Sequence, residues 1–143
     1  MTNLFGLKTE SWFDVWSVEH FISGILIGSL LALIWPKTRQ PPIADNSVPF
    51  FLALLMISFM WESVEFYMET GYSGVEGITH WFQGVEFWGN RVITDPLMVL
   101  AGASCFHRSR KLVLPARIFS ILWLVSHVFL FPHSMYLHTL MQS

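Results

Sequence analysis

The sequence predicts an all-α integral membrane protein: a four-transmembrane-helix bundle with a short interfacial helix between its second and third spans. Three observations predict it. The chain is 143 residues long, 53% hydrophobic and only 13% charged, with a mean hydropathy of +0.50. A soluble domain of this size has too little interior to bury so many apolar side chains. Four segments approach the roughly 20 helical residues that cross a hydrocarbon core. The basic residues cluster in the two loops that such a topology places on one side. A single polytopic domain, 1–143, follows from the length. The first fifteen residues carry Glu10 and Asp14 without a basic n-region, so no cleavable signal peptide is expected.

The elements follow in order. The first span is expected at about 15–35, the second at about 47–68, the third at about 88–107 and the fourth at about 114–136. The third carries Arg91 and Asp95 within it. Between the first two lies "PKTRQPPIADN", a proline-rich stretch that cannot continue a helix. Between the last two lies the basic "HRSRKLVLP". The longer connection from Gly71 to Gly89 has Ile78, Trp81, Phe82, Val85 and Trp88 on one helical face, which predicts an interfacial segment at about 75–88. Lys37, Arg39, Arg108, Arg110, Lys111 and Arg117 fall on one side of this topology, with Asp45 as the only acid there. Lysine and arginine excess marks the cytoplasmic face. The expected location is therefore the bacterial inner (cytoplasmic) membrane, both termini facing out.

Depth sorts the polar residues within the spans. At about 1.5 Å per residue, Glu62 lies on the order of 10 Å outward of the midplane and Asp95 roughly 5 Å outward. His20 and His133 match Glu62, and His127 lies near the midplane. Glu62, Glu65 and Glu69 share an i, i+3, i+7 stripe. His20 shares a face with Gly24 and Gly28, a small-xxx-small pattern that brings a neighbouring helix close and turns His20 inward. Arg91 and Asp95, at i, i+4, are spaced to pair. Ionised side chains in lipid cost several kcal/mol unless paired or hydrated, so an inward cluster is expected. Glu69, Glu76, Glu86 and His138 read instead as interfacial solvation, and His133 as a headgroup anchor. Trp123, inside its span, reads as packing.

The stretches "WFDVWSVEHFISG", "WESVE" and "NRVITDPLMVLAG" resemble small bacterial inner-membrane proteins related to the VanZ-like and YjdF-like families. The resemblance covers roughly 11–104. It rests on His20 with Gly24, on Trp61 with Glu62 and Glu65, and on Asn90, Asp95 and Gly102. Glu19 and the aromatic 71–89 segment depart from the pattern. The resemblance implies a fold and no settled reaction.

Four functional readings follow. In the first, Glu62, Asp95 and His20 are the catalytic candidates of an embedded site acting on or binding a membrane lipid or a lipid-linked substrate. Glu62, Glu65, Asp95, His20 and His127 are then the candidate ligands of a divalent metal (zinc, manganese or iron), with Asn90 and Arg91 in support. A bound ion would offset the burial of the carboxylates, and a spare glutamate would act as base. In the second, the chain is a non-catalytic accessory or assembly subunit, with a membrane-protein partner or a second copy docking on the glycine faces. The third is haem held by His20 with His127 or His133. The fourth is proton or ion transport, against which the inner half offers no continuing polar path. No nucleic-acid partner is expected.

Overall fold

The computed structural model describes residues 3–34 and 47–142, and within them the chain is mostly helical. Trp35 and the first connecting loop, with Lys37 and Arg39, lie outside the described residues. Three helices are long and apolar enough to cross a membrane: Val15–Ile34, Val48–Glu69 and Arg110–Phe129.

Two three-residue strands come first, β1 (Asn3–Phe5) and β2 (Ser11–Phe13), paired in parallel through Asn3↔Ser11 and Phe5↔Phe13. Helix α1 (Val15–Ile34) starts on a side-chain cap. Asp14 Oδ1 accepts from the Trp16 and Ser17 amides at 2.8 and 2.9 Å, satisfying donors that a helix start leaves without partners. Helix α2 (Ser47–Glu69) ends at Thr70–Gly71, where Gly71 takes φ +81°. The short helix α3 (Glu76–Phe82) stops because Gln83 and Gly84 both adopt positive φ. Val85 and Trp88, expected on its apolar face, are therefore off the helix; Ile78, Trp81 and Phe82 are on it.

The expected third span is not a uniform α-helix. It opens with a π-helical turn, Asn90–Thr94, and continues as α4 (Asp95–Arg108), 14 residues long. Pro96 gives a reason for the wide turn. A proline ring clashes with the carbonyl four residues back and offers no N–H to it, and the π turn relieves that crowding just before the α register begins. A 3₁₀ turn (Arg110–Leu112) leads into α5 (Val113–Phe129). α5 ends short of the expected 136, because Pro132 disfavours helical backbone before it. His133 accordingly sits in the turn before α6 (Tyr136–Gln142), not in a span.

Glycines set the packing. A Cβ on Gly24 would lie 2.2 Å from the Val99 carbonyl oxygen, and one on Gly102 would lie 1.9 Å from that of Phe21. Gly28 meets Ala103. α1 and α4 thus touch backbone to backbone, as the small-residue spacing predicts. Gly24 pairs with Val99 and Gly28 with Ala103, so the two helices run in the same direction. α2 packs on α4, where Phe50 and Leu54 join Val99 and Ala103 in one buried cluster. α5 lies antiparallel on α1: Arg117 donates to Ser29 Oγ at 2.9 Å and Ser120 to Glu19 Oε1 at 3.0 Å.

The N-terminal segment, the 71–89 connection and the turn after α5 interlock over one end of the helices. Phe87 N donates to Lys8 O at 2.8 Å, and Ser134 N to Trp81 O at 2.8 Å. Trp16 Nε1 donates to Ser134 O at 3.1 Å, and Trp12 packs edge-on against Phe87. The first turns of α1 and of the 90–108 segment, and the last turns of α2, sit beneath this cap.

Candidate functional site

Under the cap, α1, α2 and α4 each deliver one side chain to a common point. His20, Glu62 and Asp95 are 5%, 2% and 0% exposed. One ligand atom from each lies within 4.8 Å of the others. His20 Nε2 approaches Glu62 Oε1 at 3.0 Å, and His20 Nδ1 lies 3.5 Å from Asp95 Oδ2. The approach to Glu62 is off the hydrogen-bond axis. Nε2, both Glu62 oxygens and both Asp95 oxygens are therefore without hydrogen-bond partners among the described residues. His20 Nδ1 contacts the Trp16 carbonyl oxygen at 2.9 Å. With Nδ1–H donating there, Nε2 is the nitrogen left with a lone pair beside Glu62, the tautomer that metal-ligating histidines take from a backbone carbonyl.

A second layer of charge lies directly above. Glu69 is buried and receives Lys8 on one oxygen and Arg91 on the other, with the Glu86 amide donating at 3.0 Å. Arg91 reaches Glu86 at 3.5 Å and is 3.8 Å from Glu62. Asn90 donates to Glu86 Oε1 at 2.9 Å and accepts from Ser17 at 3.2 Å, which ties this layer to the Asp14 cap of α1. Burial, reinforced by the charges of Asp95 and Glu62, pushes the Glu86 carboxyl up to about 10. Burial also raises Asp14, against the pull of the Ser17 amide.

The predicted residues divide as follows. His20, Glu62 and Asp95 come together. Arg91 pairs with glutamates of α2 and the 71–89 connection rather than with Asp95, because the π turn separates the two positions that an α-helix would stack. Asn90 joins the upper layer. Glu65 turns away from the cluster: seven residues return a side chain to within about 20° of its start, whereas three leave it about 60° off. Glu62 and Glu69 consequently face inward while Glu65 borders a lateral cavity. His127 is also apart. It is fully buried among the rings of Trp16, Trp123 and Phe131, at centroid distances of 4.5, 4.5 and 4.8 Å. Trp123 packs as predicted, stacked on Phe119.

Three residues read as interfacial are buried: Glu69 at 3%, Glu86 at 8% and His138 at 3%. The cap, not solvent, covers those helix ends. Lys8, 3% exposed, is the residue that sequence reasoning missed. Its signal was available, since Lys8 and Arg91 are the only fixed cations on the acid-rich side. Glu19, set aside as a departure from the family pattern, bridges α1 and α5 by accepting from Ser23 at 2.5 Å and Ser120 at 3.0 Å. No family model, curated protein or solved structure matches the chain, so the functional reading rests on this geometry.

Proposed function

We propose that this is a four-span membrane protein whose His20–Glu62–Asp95 cluster binds a divalent metal and, through it, acts on or holds a membrane lipid. The third crossing is the π turn together with α4. It runs beside α1 in the same direction, begins under the same cap and has comparable length. The charge asymmetry of the loops supports a topology with the cap, both termini and the site toward the outer face of a bacterial inner membrane and with α3 at the interface.

The observation that carries the metal reading is the set of buried ligand atoms without hydrogen-bond partners among the described residues. A buried carboxylate without hydrogen bonds costs several kcal/mol, and two share this point with an imidazole. Charge supports the same reading. With Glu86 protonated, the buried carboxylates Asp14, Glu62, Glu69 and Asp95 face only Lys8 and Arg91 as fixed cations. One divalent ion closes that balance with His20 neutral. One imidazole with two carboxylates suits zinc, manganese or iron and leaves coordination positions open for water or a substrate oxygen. Glu65, outside the ligand set and on the cavity wall, is the carboxylate placed to take a proton. The glycine faces on which an assembly role would rest are consumed between α1 and α4.

The test is elemental analysis of the purified chain beside a Glu62→Gln/Asp95→Asn variant, with helix content checked by circular dichroism. The expected result is close to one zinc, manganese or iron per chain, lost in the variant while helicity stays. Equal metal content in the two proteins would overturn the metal reading and leave an imidazolium held between two carboxylates.

A further inference from the structure

α2 rests on α4 and α5 rests on α1, which leaves a gap between α2 and α5 over the exposed side of α1. A cavity of about 300 Å³ fills it. Its two ends differ. Toward the cap it is lined by Trp16, Glu19, His20, Glu65 and Leu124, and toward the bundle middle by Leu26, Ile27 and Val99 with the hydroxyls of Ser23, Ser58 and Ser120. Ser58 is 3% exposed, and its hydroxyl has no hydrogen-bond partner among the described residues. His20 is both a wall of this cavity and a member of the metal cluster, so an occupant of the polar end reaches the site.

From this we infer that the cavity is a lateral groove that takes one hydrocarbon chain of a bilayer lipid, admitted between α2 and α5, with the lipid's polar end at Glu65 and His20. The inference rests on the membrane-spanning reading but not on the metal. Three features select this occupant. The flanks of the groove are exposed apolar side chains of α2 and α5, such as Met56 at 67% and Leu122 at 62%, so the surrounding phase is the acyl region. Residues 16 to 27 of α1, which bound the groove, cover about 16 Å along the helix axis. A volume at the low end of ligand sites spread over that length is a slot for one chain, not a chamber for a branched or fused-ring body. The ionisable side chains of the slot, Glu19, His20 and Glu65, lie only toward the capped end, where the polar end of an amphiphile would sit, and the inner part offers hydroxyls among apolar side chains.

The experiment reconstitutes the full chain in vesicles of phosphatidylethanolamine and phosphatidylglycerol. A trace of phosphatidylethanolamine carries a diazirine near the middle of one acyl chain. After photolysis, cross-linked peptides are mapped by mass spectrometry, and the metal content of the same sample is measured. Cross-links concentrated on Leu26 and Ile27 over the lipid-facing Met56 and Leu122 are expected. They should be lost in Leu124→Trp, whose side chain would fill the groove from its half-exposed rim, and in Leu26→Trp from the opposite wall. Two positions on different helices guard against one variant that fails to fold. Cross-links spread evenly over Met56, Leu122 and the groove residues, unchanged in both variants, would overturn the groove. Retained metal in that case leaves the function proposed above standing. Groove cross-links in protein without metal support the groove and remove the metal reading instead.

Discussion

Replacing Gly102 by alanine tests whether the helix contact and the site are one structure. The added Cβ would lie 1.9 Å from the Phe21 carbonyl oxygen and 3.0 Å from the Ile25 nitrogen. Both are backbone atoms of α1, so no side chain can swing aside. Restoring an ordinary 3.4 Å contact requires the helices to part by about 1.5 Å. Phe21 adjoins His20, and Asp95 lies two turns before Gly102 on the same face of α4. A shift of that size spreads ligand atoms that now lie within 4.8 Å of one another beyond what one metal ion with bonds of about 2 Å can bridge.

Overpacking of this kind costs roughly 1–3 kcal/mol, or about 5–10 °C of melting temperature for a chain of this size. The assay is thermal unfolding followed by tryptophan fluorescence in detergent, paired with metal analysis. Severity should follow the Cβ clearances, with Gly102→Ala the worst, Gly24→Ala at 2.2 Å next and Gly28→Ala at 3.1 Å mild. Gly77→Ala, where a Cβ meets nothing within 4 Å, should be neutral or slightly stabilising, since alanine is the better helix former. A Gly102→Ala protein with native melting and native metal content would refute the coupling between the α1–α4 contact and the cluster.

Two further outcomes follow. His127→Phe removes two buried ring nitrogens that lack partners among the described residues, in a pocket already built of aromatic rings. It should raise stability by about 1 kcal/mol in thermal or denaturant unfolding and leave metal content intact, whereas metal loss would return His127 to the ligand set. Glu86 holds its proton in the folded state up to about 10, against an ordinary value of 4.5. Folding therefore takes up a proton between those limits. Its contribution is fully present below 4.5 and is lost as pH rises toward 10, with a slope of at most ~1.4 kcal/mol per pH unit. Glu86→Gln, which keeps an acceptor for Asn90, should flatten the decline of melting temperature between pH 6 and 9; an unaltered slope would assign it to another group.

The cluster was legible because its three members obey rules that act along a single helix. Depth is counted at a fixed rise, and a charge at that depth needs company. Gly24 and Gly28 were legible for the same reason, since their spacing alone calls for a close neighbour. What escaped the sequence depends on contacts between distant segments. Lys8 reaches Glu69 across 61 positions, and nothing local in "GLKTES" marks that partner. Glu69 and Glu86 were read as wet because helix ends in membranes usually are, yet the interlocked cap buries them. The π turn is a cooperative response to Pro96 and to packing on α1, and periodicity assumes an unbroken α register. The strands, at three residues each, are too short to show alternation.

The two charged layers divide their labour, and the division bears on function. Arg91 is within 3.8 Å of Glu62, near enough to neutralise it. Its closer contact, through a terminal guanidinium nitrogen, goes to Glu69, which also takes Lys8 and the Glu86 amide. The upper layer thereby satisfies both oxygens of Glu69. It holds the cap to the helices and draws the nearest fixed cation away from the layer below. If burial of Glu62 served stability alone, the cheaper arrangement would give Arg91 to Glu62 and leave Glu69 to the cap. The observed pairing concentrates unmet ligand capacity on Glu62 and Asp95, at the depth where His20 presents its second nitrogen and the lateral cavity opens. A deficit so placed, buried and beside the lateral cavity, is what the proposed metal centre requires.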